Sequence, residues 1–91
     1  MKSIPDHCQP YKRTPTFSET SVPTGLLNAH QTKAGTWGKI VILEGRLLYR
    51  ILEPQIEEHI LDTKNAGIVE PENLHEVKPQ GQVSFYVEFY K

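Results

Sequence analysis

Cysteine is nearly absent: of 91 residues only Cys8 carries a thiol. No internal disulfide can staple the chain, so stability must come from packing, a metal or self-association. A lone thiol fits a reducing compartment, and the expected location is the cytoplasm. Long hydrophobic runs are also missing. The longest aliphatic stretch is Ile40-Val41-Ile42-Leu43, far short of the roughly 20 apolar residues a membrane helix needs. Met1-Lys2-Ser3-Ile4-Pro5 is not followed by a signal-type apolar segment, so no membrane association is expected. No run of like charge forms a tail and no internal repeat is visible. The near-balanced total of 10 basic and 11 acidic residues lacks the basic stripe that nucleic acid demands, which excludes that partner. The length excludes a second domain with its own core.

What is present is an ordinary globular mixture, 37% hydrophobic and 23% charged, so a folded domain is expected. The charge is unevenly spread: residues 1–50 carry seven Lys/Arg against three Asp/Glu, and residues 51–91 carry three against eight. Seven prolines and six glycines punctuate the chain and leave no room for a long amphipathic helix. Residues 1–23, with Pro5, Pro10, Pro15 and Pro23, read as an extended or irregular lead-in draped over a domain spanning 24–91. Trp37–Leu43 and Arg46–Leu52 read as a hairpin turning at Glu44-Gly45. Further strands are expected at Ile56–Leu61, Ile68-Val69 and Leu74–Lys78. The last segment alternates most cleanly, with Val83, Phe85, Val87 and Phe89 on one face and Ser84, Tyr86, Glu88 and Tyr90 on the other. Short strands at regular spacing with Gly/Pro turns predict an all-β antiparallel sandwich or small barrel. Both faces of the last strand offer apolar area, which predicts a homodimer that buries the second face.

Two stretches go beyond composition. One is His30-Gln31-Thr32-Lys33-Ala34-Gly35-Thr36-Trp37-Gly38-Lys39, with Leu43-Glu44-Gly45 after it. The other is Val69-Glu70-Pro71-Glu72-Asn73-Leu74-His75-Glu76-Val77, and the chain closes with Phe85-Tyr86-Val87-Glu88-Phe89-Tyr90. Together they resemble the small cupin-like domain at the N-terminus of TehB-type tellurite-resistance proteins, also found alone in YeaR-like proteins. The resemblance runs from about Thr14 to Tyr90. It implies a cupin-type β-sandwich or jelly-roll barrel, a role in tellurite or related stress responses, and a pocket in which histidines hold a divalent metal such as Zn, Fe or Ni. Full-length TehB proteins add a methyltransferase domain that uses S-adenosylmethionine. No Gly-rich loop sits between a strand and a helix here, so no site for that cofactor is expected in this chain.

A metal site needs imidazoles or carboxylates converging from different strands. His30 and His75 are the best pair, with Glu88 as third ligand and Glu70 as its substitute. Each histidine has a competing reading as a hydrogen-bonded structural residue. His59, between acidic neighbours, reads as solvated. Lys33, Lys39 and Arg46, with Arg50 and Trp37, lie near the histidine-bearing segments and would suit an oxyanion at a pocket mouth. Two function classes follow: a metal-, small-ligand- or oxyanion-binding module, or a metal-dependent cupin enzyme, oxygenase- or isomerase-like, using His30, His75 and a carboxylate.

Overall fold

A computed structural model describes all residues, 1–91. In chain order the elements are β1 (Pro10–Arg13), β2 (Phe17–Ser18), α1 (Thr24–Leu27), β3 (Trp37–Ile51), β4 (Glu57–Leu61), β5 (Gly67–Val69) and β6 (His75–Tyr90). The protein is all-β, with every strand pair antiparallel. The two long strands β3 and β6 pair along their whole length, from Trp37↔Tyr90 to Ile51↔His75. β4 and β5 share the other edge of β3, and β1 and β2 share the other edge of β6.

The hairpin expected at Glu44-Gly45 is instead a bulge inside β3. The register shifts between Ile42 and Glu44 and again between Gly45 and Leu47. Buried side chains accordingly switch from Ile40 and Ile42 to Leu47, Tyr49 and Ile51. A turn and a bulge both invert the phase of an alternating pattern, which is why the sequence reads as a hairpin here. Gly45 makes the bulge possible. Its φ is 81°, and a Cβ there would collide with the Gln82 carbonyl oxygen. Likewise the expected Leu74–Lys78 strand, from His75 on, and the final alternating segment are parts of one strand, β6, rather than two.

The lead-in is extended and stitched to the sheet. β1 pairs with the end of β6, and β2 places Phe17 opposite Phe85. Thr14 bonds both ways to Val87: its N–H donates to the Val87 carbonyl at 2.9 Å and its Oγ1 accepts from the Val87 N–H at 3.0 Å. The radius of gyration is 12.1 Å, close to the roughly 12 Å expected when every residue packs into one body of this length. Eleven buried apolar residues drawn from both halves of β3 and β6, with Leu61 and Val69, form one core. Phe17, Val22, Leu26 and Phe89 pack against it without being fully buried. That incomplete closure leaves a cavity.

Candidate functional site

Gly38 lines the cavity. In register it stands between Val69 of β5 and Phe89 of β6, and with no side chain it lets Val69 pack close against the strand. A Cβ on it would approach the Val69 Cβ to 3.2 Å. The cavity, about 330 Å³, opens between the inner face of the sheet and the segment carrying α1. Phe17, Leu26, Val87 and Phe89 form apolar walls, and no Asp, Glu, Lys or Arg lines it. α1 is a single turn following Pro23. Asn28 ends it by donating from Nδ2 to the Thr24 carbonyl at 3.0 Å, and this turn sets Leu26 over the opening.

The two histidines meet in this cavity. His30 and His75 are backbone partners, with His30 N–H donating to the His75 carbonyl at 3.0 Å and His75 N–H to the His30 carbonyl at 2.9 Å. Directly paired residues in an antiparallel ladder share a face, and the imidazole centroids are 4.0 Å apart. The His75 ring also meets the Tyr49 ring edge-on at 5.9 Å. Tyr49 is itself held by donating its hydroxyl to the Ile68 carbonyl at 2.9 Å, and burial raises its pKa. The loop after His30 is tied to the second motif. Thr32 Oγ1 donates to the Thr36 carbonyl at 2.9 Å, and the Glu72 N–H donates to the Thr32 carbonyl at 3.2 Å. The two sequence motifs thus fold against one another to make one wall.

Burial favours the uncharged form of both imidazoles. His75 is only 4% exposed, and burial, reinforced by the neighbouring His30, lowers its pKa to about 4. Burial also lowers the pKa of His30, opposed by the carbonyls of Asn28 and His75. The His75 Nδ1 lies 3.0 Å from the Asn73 carbonyl. A carbonyl only accepts, so Nδ1 carries the proton and Nε2 presents a lone pair. The His30 Nδ1 is buried without a hydrogen-bond partner.

The other expected site residues are elsewhere. Glu88 lies on the opposite face of β6, where its Oε1 accepts from the Tyr90 hydroxyl at 2.7 Å. Strand alternation decides this, because Val87 and Phe89 on either side of it line the cavity. Glu70 faces Lys2 at 3.6 Å. Of the expected set, His30 and His75 come together in the cavity and Glu88 stands outside it. Two imidazoles do not complete the three or four ligands that Zn, Fe or Ni takes, and no group of three His, Cys, Asp or Glu side chains is placed to hold a metal. Lys39 and Trp37 also alternate to the outer face, Lys39 in a shallow cleft with Ile4, Pro5, Cys8 and Tyr90. Lys33 and Arg46 are exposed. Arg50 is engaged by Glu58 at 3.0 Å and Glu76 at 3.5 Å. His59 pairs with Glu57 at 3.2 Å. None of these cations reaches the cavity.

Sequence reasoning missed Thr14, Phe17, Leu26 and Thr32 as lining residues, and Tyr49 as the ring behind His75. The available signal was Gly38: a glycine inside a strand of β-formers marks a place where something else comes close.

Fold and cavity together define a small all-β domain with a half-open apolar pocket and a paired-histidine wall. The description "TehB-like domain" matches residues 12–87, and the chain belongs to that family. Two proteins named as probable S-adenosyl-L-methionine-dependent methyltransferase TehB, from Haemophilus influenzae strains Rd and 10810, are 36% and 33% identical to it over 72 residues. That alignment covers 75% of this chain and 25% of each relative, so the chain spans about a quarter of their length. The crystal structure of TehB from H. influenzae superposes with a TM-score of 0.86 at 30% identity, covering 93% of this chain and 32% of that one. A crystal structure of an Escherichia coli K12 protein shares the fold over nearly its full length, with a TM-score of 0.90 at 17% identity, covering 100% of this chain and 97% of that one. The only helix here is the four-residue α1, and no helix is long and apolar enough to cross a membrane.

Proposed function

We propose that this chain is a small-ligand-binding module of the TehB-like family, with the cavity at Gly38, His30 and His75 as its site. The observation that carries the reading is the cavity itself. At about 330 Å³ it falls at the lower end of the ligand-pocket range, with apolar walls and a few convergent polar groups. A binding role is favoured over a metal-dependent enzyme because no carboxylate joins the two imidazoles. An apolar, cation-free interior also gives no support to oxyanion capture, so a part in tellurite or other stress responses would run through an organic ligand. Self-association belongs to the same reading. Leu43, Ile56 and Ile60 on and beside β3 and β4 are 52%, 66% and 49% exposed, apolar area that a second copy would cover.

The test is a titration of isotopically labelled protein with naphthalene, followed by amide chemical shifts, with light scattering on the same samples. Saturable shifts confined to Gly38, Val69, His75, Phe89 and their neighbours are expected. No saturable shift at those positions would overturn the reading.

A further inference from the structure

The uncommitted hydrogen-bonding capacity in the cavity is mostly that of acceptors, with a single donor on the His30 ring. Four polar side chains line it: Thr14, Thr32, His30 and His75. Thr14 Oγ1 has committed its only proton to the Pro15 carbonyl at 2.9 Å and already accepts from the Val87 N–H at 3.0 Å. Thr32 has committed its only proton to the Thr36 carbonyl, so it can only accept. His75 has committed its proton through Nδ1 to the Asn73 carbonyl, which leaves Nε2 as a bare acceptor with no partner in the protein. His30 contributes a second imidazole 4.0 Å away, centroid to centroid. No guanidinium, ammonium or carboxylate is present to balance a charged guest.

From this, and resting on the ligand-binding reading above, we infer that the cavity selects a neutral molecule with an apolar body and one hydroxyl, an alcohol or phenol, whose O–H donates to His75 Nε2. An anion of the same shape finds at most the one N–H of the His30 ring and loses its hydration without a cation to replace it, whereas a hydroxyl donates to His75 Nε2 and can accept from His30. A pure hydrocarbon fills the space but leaves the Nε2 lone pair unmet, a buried acceptor that the empty cavity can hydrate. The size follows from the volume. About 330 Å³ is roughly twice the ~150 Å³ that admits a benzene ring, so a two-ring body is the right scale.

The experiment compares three probes of one shape on the intact chain: naphthalene, 2-naphthol and 2-naphthoate. Each is titrated by amide shifts, and the ring nitrogens of His75 are followed by long-range nitrogen–proton correlation. The expected result is 2-naphthol binding roughly tenfold tighter than naphthalene and naphthoate at least tenfold weaker than 2-naphthol, with the His75 Nε2 resonance moving for 2-naphthol alone. His75→Phe keeps a ring of similar size but removes the acceptor, so the ratio of 2-naphthol to naphthalene affinity should fall to about one whatever the change in overall affinity. Should that variant not fold, the nitrogen resonance in the unaltered chain carries the test by itself. Equal affinity for naphthalene and 2-naphthol, or an unmoved Nε2, overturns hydroxyl selection but leaves the binding module standing. Tighter binding of naphthoate overturns it in favour of an anion site. No binding of any probe overturns both readings.

Discussion

The inner and outer faces of the β3–β6 ribbon carry neighbouring residues of the same two strands to opposite fates. Inward, Gly38, Val87, Phe89 and His75 border an apolar cavity without a single formal charge. Outward, one position along, Lys39, Glu88 and Tyr90 meet water and the lead-in, and Arg13 stacks on the Tyr86 ring at 4.4 Å. The side-chain period of a strand is two, so a displacement of one residue separates buried chemistry from surface chemistry. Composition near a motif is therefore a poor guide to a site in a β-domain. Face is the better guide.

The strongest way to break this contrast is to truncate adjacent residues. Phe85 is fully buried and meets Phe17 edge-on at 5.7 Å between centroids. Phe85→Ala is expected to cost about 3–5 kcal/mol, enough to unfold a marginal small domain. Tyr86→Ala, one residue on, removes the stack under Arg13 and should cost about 1–2 kcal/mol. Urea denaturation of both variants reads the difference directly. Comparable losses at the two sites would mean that the outer face is buried as deeply as the inner one, as a tight dimer would require.

Much of this contrast was legible beforehand. The alternation of Val83, Phe85, Val87 and Phe89 fixed the inward face of β6, and the two motifs picked out His30 and His75. The same alternation sets Glu88 on the Tyr86/Tyr90 face, out of reach of His75, which shares the phase of Phe85. What sequence could not supply was the continuity of β3. The inversion between Ile42 and Leu47 is the same for a turn and a bulge, and only the pairing of both halves with β6 separates them. The pairing of residue 30 with residue 75 is likewise a long-range contact that no local pattern encodes. Lys33, Lys39 and Arg46 lay close to the histidines along the chain but not in the cavity.

Acid sharpens the contrast next. His75 has a folded pKa of about 4 against an ordinary value of 6.5, so between those values the unfolded chain binds the proton that the folded chain refuses. Stability is then fully present above about pH 6.5, falls as the pH drops through the window, and levels off below about 4. The loss from this residue amounts to at most about 3 kcal/mol. His30 shifts in the same direction and adds to the slope. The groups facing His75 are His30 and Tyr49, neither of which offers an anion to stabilise the imidazolium in this range. Chemical denaturation at a series of pH values, compared with His75→Gln, is the measurement. A variant as pH-sensitive as the parent would remove His75 as the cause.

The smallest effect is expected at Glu88. Its carboxylate accepts the Tyr90 hydroxyl at 2.7 Å on the outer face, and that bond raises the Tyr90 pKa by favouring the protonated phenol. Glu88→Gln keeps an acceptor but removes the charge, so the Tyr90 titration followed by ultraviolet absorbance should move down toward its ordinary value. Stability should change by no more than about 0.5 kcal/mol, because the pair is only part-buried and an acceptor is kept. Probe binding in the cavity should not change at all. A large loss of stability, or weakened binding of 2-naphthol in this variant, would show that a carboxylate outside the cavity nevertheless acts within it. Face would then no longer separate the two sets of residues.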